Sequence, residues 1–196
     1  MPNISDMEAQ QNVWLIGPMG VGKTTVGRQL ARALDREFID SDHEIEQRTG
    51  ANIPWIFDIE GEEGFRRRER AVIEDLSSRR ALVIATGGGA VIDPRNRADM
   101  ARSGVVVYLS ASPDRIHART RRSQHRPLLR TADPRARIAE LIAERDPLYR
   151  EIADVILDTE RRGVKSATAF IVRYLSEQPT GGAGSAGPLE MRSVQS

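Results

Sequence analysis

The chain has 196 residues, enough for one well-buried domain and too few for two, and its 29 basic and 28 acidic residues nearly cancel, so no global charge draws it to nucleic acid or an anionic membrane. It contains no cysteine, which excludes disulfides, thiolate zinc sites and cysteine nucleophiles. Only Lys23 and Lys165 among the basic residues are lysine, so an arginine here is informative by position and not by type.

Residues 1–11 are polar and read as a loose N-terminus, with neither the basic start nor the apolar run of a signal peptide. No stretch is long enough to span a bilayer, and a cytoplasmic protein is expected. The apolar run Val13-Trp14-Leu15-Ile16 predicts a buried strand and leads into Gly17-Pro18-Met19-Gly20-Val21-Gly22-Lys23-Thr24. That is a Walker A sequence in its required context. A strand must stop, turn sharply and enter a helix, and glycines at 17, 20 and 22 let the loop aim backbone N–H groups inward at phosphate oxygens. The binding stretch runs from Gly20 through Val21, Gly22, Lys23 and Thr24 to Thr25. Lys23 can reach the β- and γ-phosphates, and the Thr24 hydroxyl can ligate Mg²⁺.

Val26, Leu30, Ala31 and Leu34 then carry the spacing of a helix packed on a sheet, ending near Asp35. Phe38-Ile39 reads as a short second strand that finishes in Asp40-Ser41-Asp42. Ligands of an open α/β sheet gather beyond the carboxyl ends of its strands, so this acidic pair faces the same crevice as the Walker loop. Asp40 is the candidate for the Mg²⁺ shell, and Asp42 for orienting or deprotonating a substrate hydroxyl. Alternatively, one of the two simply caps a helix starting near His43, which Gly50 would end. Asn52 offers a cap for Ile53-Pro54-Trp55-Ile56-Phe57, whose Ile53 and Phe57 either join the core or wall off a small substrate.

Gly61 opens a further helix with Phe65, Val72 and Leu76 on its inner face. Arg66 and Glu69 are three apart, so the carboxylate can hold the guanidinium, although spacing alone favours a solvated charge run over residues 66–70. Leu82-Val83-Ile84-Ala85-Thr86 is a strand covered on both faces, and it ends in Gly87-Gly88-Gly89, where a ligand can approach bare backbone. No acid ends this strand, leaving Asp40 as the Mg²⁺-side carboxylate. A helix follows from Pro94, a strand covers Val105 to Leu109, and Ser112-Pro113 starts another helix.

Between Arg115 and Arg137 stand eight arginines against one acid, Asp133, with no aromatic side chain to stack a base. A lid at about 115–133 that closes arginines over ATP accounts for this stretch better than nucleic acid does. A helix after Pro134, a strand Val155 to Asp158 and a helix from Val164 complete one domain over 12–176, and the Gly/Ser/Pro-rich residues 177–196 read as a disordered tail.

Taken together, the Walker loop, Asp40-Ser41-Asp42, Gly61-Glu62 with Phe65-Arg66 and Glu69, Gly87-Gly88-Gly89, Arg126-Pro127-Leu128-Leu129 and Arg145-Asp146-Pro147-Leu148-Tyr149 resemble the shikimate kinase family in order and spacing. The resemblance implies the P-loop NTPase fold of nucleoside monophosphate kinases, a five-stranded parallel sheet of order 2-3-1-4-5 flanked by helices, with a mobile lid. It implies transfer of the ATP γ-phosphoryl group to the 3-hydroxyl of shikimate, with Mg²⁺ as cofactor, by a monomer with no nucleic-acid or membrane partner. By the same resemblance Asp42 would bind shikimate and act as base, Arg66 and Arg145 would hold its carboxylate, and Gly88 would meet it through the backbone. Arg126 would stabilise the transferring phosphate, while Arg119 and Arg162 would lie against adenine. Arg121 and Arg122 make this lid more basic than the family pattern. By analogy with arginine fingers, Arg126→Ala should lower kcat by roughly 10² to 10⁴; near-full turnover of the purified variant would remove that role.

Overall fold

The structure, a computed structural model, describes residues 11–121, 133–160 and 163–177, and the backbone alone of 189–191. Arg122, Arg126 and Arg162, and with them most of the expected lid, lie outside the described residues. In chain order the elements are β1 (Asn12–Ile16), α1 (Lys23–Leu34), β2 (Glu37–Asp40), α2 (Ser41–Thr49), α3 (Ile53–Ser78), β3 (Leu82–Ala85), α4 (Pro94–Ser103), β4 (Gly104–Ser110), α5 (Pro113–Thr120), α6 (Pro134–Ile152), β5 (Val155–Asp158), α7 (Val164–Glu177) and β6 (Leu189–Met191).

The strands form one sheet in the order β2-β3-β1-β4-β5-β6, with every neighbouring pair parallel. Its first five members have the expected 2-3-1-4-5 order. The sixth, β6, lies within the stretch whose composition suggested a disordered tail, and for these three residues that expectation is corrected. Without β6, β5 would present a row of unpaired backbone groups, and a short segment can pair with such an edge whatever its flanking composition.

β1 is central and covered on both faces, as its unbroken apolar run requires. Successive side chains point to opposite faces, so Val13 and Leu15 join one cluster with Val26, Leu30 and Phe170 from α1 and α7. Trp14 and Ile16 join the other with Val72, Ile73, Leu76, Met100 and Tyr149 from α3, α4 and α6. These two clusters are the core. No described helix is long and apolar enough to cross a membrane.

Local stops follow the expected chemistry. α2 ends on Gly50 in the left-handed conformation, and the Asn52 side chain accepts a hydrogen bond from Trp55 N–H to start α3. The two helices expected on either side of Gly61 run on as one rod with a break, because Gly61 takes φ 69 and ψ −178, a backbone region that essentially only glycine occupies. The first arm carries the half-buried Ile53 and Phe57, and the second carries Phe65, Val72 and Leu76, which are buried.

Asn12 ties the lower end of the sheet together. Fully buried, its amide donates to Leu76 O and Arg79 O at 3.2 and 3.0 Å, and its oxygen accepts from Leu82 N–H at 3.0 Å. It thus sets where α3 ends and β3 begins. Replacing it by leucine strands these groups in the interior, and Asn12→Leu is expected to lower the unfolding free energy by about 2–3 kcal/mol. Urea denaturation measures this, and a loss below about 0.5 kcal/mol, the scale of an ordinary surface substitution, would show that the three bonds are dispensable.

Candidate active site

Behind β1 the chain turns through three glycines with positive φ, Gly17 at 134°, Gly20 at 74° and Gly22 at 108°. Gly20 has a second reason to lack a side chain, because a Cβ there would lie 2.5 Å from Thr120 Cγ2 of α5. Lys23 opens α1 and is buried, its ammonium donating to Gly17 O and Pro18 O at 2.7 and 2.8 Å. The amine therefore sits above the loop whose N–H groups and helix dipole favour an anion.

Thr24 Oγ1 donates to Asp40 Oδ2 at 2.8 Å. Asp40 is at once the last residue of β2 and the cap of α2, its Oδ1 accepting from Asp42 N–H at 3.2 Å. Capping and the approach to Thr24 are thus two uses of one carboxylate, and the helix begins at Ser41, two residues earlier than expected. A hydroxyl beside a carboxylate is a fitting donor pair for a hard divalent ion such as Mg²⁺. Among the described residues no group of three or more His, Asp or Glu could hold an ion, so phosphate and water oxygens would have to complete the shell.

Asp42 lies in the first turn of α2 with Oδ1 buried and unpartnered. Burial, and then the negative charges of Asp40 and Glu69, raise its pKa from 3.8 to about 7, while Lys23 pulls the other way. Glu69 is likewise buried, with Oε1 unpartnered, and its pKa is raised by burial against the pull of Arg66. Both carboxylates close on Gly87, where a Cβ would stand 2.6 Å from Asp42 Oδ1 and 3.0 Å from Glu69 Oε1. The Gly87 N–H donates to Ser41 Oγ at 3.1 Å, tying the end of β3 to the start of α2.

The solvated reading of residues 66–70 holds only for part of the run. Arg67 is exposed beside Glu63, but Arg66 is 20% exposed and donates to Glu69 Oε2 at 2.7 Å and Glu62 Oε1 at 3.0 Å, and Arg70 turns in to Asp99. Spacing could not show this, because it was the glycine loop after β3 that made room. A Cβ at Gly89 would lie 2.4 Å from Arg66 Nη1, so the guanidinium rests on bare backbone. Facing it from α6, Arg145 is 5% exposed with an unpartnered Nε–H.

These groups share a cavity of about 660 Å³. Its wall includes the expected Gly20, Gly22, Lys23, Thr24, Thr25, Asp40, Asp42, Ile53, Phe57, Arg66, Glu69, Gly88, Arg119 and Arg145. Ile53 and Phe57 serve both readings, packing on the core and lining the cavity. Val21 is the described exception: its side chain is buried in the core, and its carbonyl accepts from Arg119 at 2.9 Å. Gly87 and Gly89 of the glycine triplet line the cavity beside Gly88, and Thr86 and Glu46 line it without having been singled out as binding residues. Glu46 was findable, since it stands one helical turn after Asp42 on the same face.

One cavity therefore joins the Walker loop, a buried carboxyl and the guanidinium groups of Arg66 and Arg145. A family model described as shikimate kinase matches residues 19–176, most of the chain. The chain belongs to the shikimate kinase family. A shikimate kinase of Halorhodospira halophila is 55% identical over 86% of this chain and 95% of its own length. One of Hahella chejuensis is 53% identical over 86% and 88%. The structure of the shikimate kinase from Acinetobacter baumannii in complex with shikimate superposes with a TM-score of 0.84 at 47% identity, covering 89% of this chain and 97% of that one.

In this member of the family, holding Asp42 in place costs stability. Its folded-state pKa of about 7 lies above the ordinary 3.8, so the folded protein binds that proton more tightly than the unfolded chain does. The contribution of Asp42 to stability therefore falls as pH rises from about 4 through 7. Without Mg²⁺ or nucleotide, Asp42→Asn should be about 2–4 kcal/mol more stable than wild type at pH 8, with the gap shrinking by half or more at pH 5. Unfolding curves at the two pH values decide it, and a gap independent of pH would exclude the buried charge as its source.

Proposed function

We propose that the protein catalyses ATP-dependent phosphorylation of shikimate at its 3-hydroxyl, giving shikimate 3-phosphate and ADP on the route to chorismate and the aromatic amino acids. The observation that carries this reading is the single cavity shared by the Walker loop, Asp42, Arg66 and Arg145. Shikimate is a small anionic ring with several hydroxyls. A site for it needs guanidinium forks for the carboxylate and acceptors or backbone donors for the hydroxyls, and this cavity has both.

In this reading Arg66, held by Glu62 and Glu69, and Arg145, with its unpartnered Nε–H, take the carboxylate. Ile53 and Phe57 cover the ring, and Gly88 meets it through the backbone. Asp42 takes the 3-hydroxyl as hydrogen-bond acceptor and then its proton, a role suited to a carboxyl that titrates near neutrality. Lys23 shifts from the loop carbonyls to the β- and γ-phosphates, and Gly20, Val21, Gly22, Thr24 and Thr25 surround the phosphate chain. Thr24 and Asp40 would hold Mg²⁺, which when bound neutralises charge on the phosphate oxygens. Transfer through a loose transition state asks mainly for positioning and charge neutralisation, which these groups supply. Arg119, held between Val21 O and Thr159, is assigned to adenine together with Arg162, and Arg126 to the transferring phosphate. The reading takes the enzyme to be a cytoplasmic monomer.

ADP release by the purified protein with Mg²⁺ and ATP, measured with shikimate, gluconate or AMP as acceptor, tests the proposal. Release is expected with shikimate alone, and Asp42→Asn should lower kcat by roughly 10² to 10⁴. Release with gluconate or AMP instead would keep the phosphate loop and discard the carboxylate pocket.

A further inference from the structure

Tyr149 stands one helical turn after Arg145 on α6 and is buried. It does not line the cavity, yet its hydroxyl donates to the carbonyl of Gly88, which does, at 2.5 Å. Its ring stacks on Tyr108 of β4, with centroids 4.9 Å apart and planes at 26°. The Tyr108 hydroxyl donates to Asp146 Oδ1 at 2.8 Å, and Arg150 holds the other oxygen of Asp146 at 2.7 Å. The phenol is therefore fixed in place from behind. Burial raises its pKa, so the hydroxyl keeps the proton it donates throughout the working pH range.

The hydrogen bond acts on a peptide that has two ends. The chain contains no cis peptide bond among its described residues, so the Gly88 C=O and the Gly89 N–H of the same plane point in opposite directions. Drawing the carbonyl back toward Tyr149 turns the N–H the other way. Neither glycine has a Cβ to hold that plane, and the space above Gly88 is bounded by the Walker loop, a Cβ there lying 3.3 Å from Met19 N. Among the described residues, the Gly89 carbonyl is used by Ile92 N–H while no hydrogen bond occupies the Gly89 N–H.

We infer that Tyr149 is a positioning residue for shikimate, whose hydroxyl fixes the Gly88–Gly89 peptide so that the Gly89 N–H is presented to an oxygen of the bound substrate. This rests on the shikimate reading above. The same helix thus sets two donors, Arg145 directly and Gly89 N–H through Tyr149. A reason for a tyrosine rather than a phenylalanine at this buried position follows from it.

Tyr149→Phe removes the hydroxyl and keeps the stack, and Tyr108→Phe removes the neighbouring hydroxyl without touching Gly88. The dissociation constant for shikimate without ATP is expected to rise about tenfold in Tyr149→Phe and to stay within about twofold in Tyr108→Phe, with KM for ATP little changed in both. An unchanged shikimate affinity in Tyr149→Phe, or equal losses in the two variants, would overturn the inference; because Arg145 also hydrogen-bonds the Tyr149 side chain, a Gly89 amide that responds to shikimate identically in Tyr149→Phe and wild type would overturn it too. Should Tyr149→Phe fail to fold, the wild-type protein still decides: its ¹⁵N-labelled Gly89 amide must shift on titration with shikimate, and an amide that does not move rejects the role. Wild-type protein that binds no shikimate at all would sink the functional reading and this inference with it, whereas normal wild-type binding with an unaltered variant sinks the inference alone.

Discussion

Four carboxylates, Asp40, Asp42, Glu46 and Glu69, line one cavity, and much of what surrounds them offsets their repulsion and their loss of water. Asp40 is held by Thr24 Oγ1 and by the N–H of Asp42 at a helix start. Glu69 is held by Arg66. Asp42 has the weakest support, with one oxygen unpartnered, and it is the carboxyl whose pKa climbs to about 7. An acid that carries this cost in the resting protein fits the common trade between stability and activity, and it has the basicity that the proposed role of Asp42 needs.

The parallel sheet makes this concentration of charge possible. Its strands β1, β2 and β3 end side by side, in register from Leu15 to Ala85 and from Asp40 to Ala85. The Walker loop, the acidic pair and the glycine triplet therefore leave the sheet at the same edge, where helix N-termini add positive potential. The three glycines after β3 then let other groups come close. Asp42 and Glu69 close on Gly87 and Arg66 lies on Gly89, each in space that a side chain at the glycine would take, while the Tyr149 hydroxyl holds the Gly88 carbonyl.

Much of the site was legible from local pattern. The Walker loop, with its strand before and helix after, can be read because each glycine answers to a backbone demand that no other residue meets, and all three take positive φ. Asp40 and Asp42 could be placed at a strand end because ligand crevices lie there in sheets of this kind. The side-chain state of Arg66 was not legible. Spacing put Glu69 within its reach but could not distinguish a solvated pair from one pressed on Gly89, since that depends on a loop more than twenty residues away. Tyr149 and Asn12 were missed for the same reason: their partners, Gly88 and Leu82, are distant in the chain. β6 escaped notice because its three residues carry no period of their own and pair with an edge that exists only in the folded sheet.

By itself, the sequence determined the order of elements, the strand–loop–helix that receives phosphate, and the set of acids and arginines belonging to it. All of these depend on neighbours within a turn of helix or a few residues of strand, where backbone geometry is the governing constraint. Only the tertiary structure decided which of those charges are buried, that burial lifts the Asp42 pKa to about 7 while Asp40 serves as a cap, and which backbone groups line the cavity. Those properties come from desolvation and from hydrogen bonds between elements that the sheet brings together, and no local pattern encodes either.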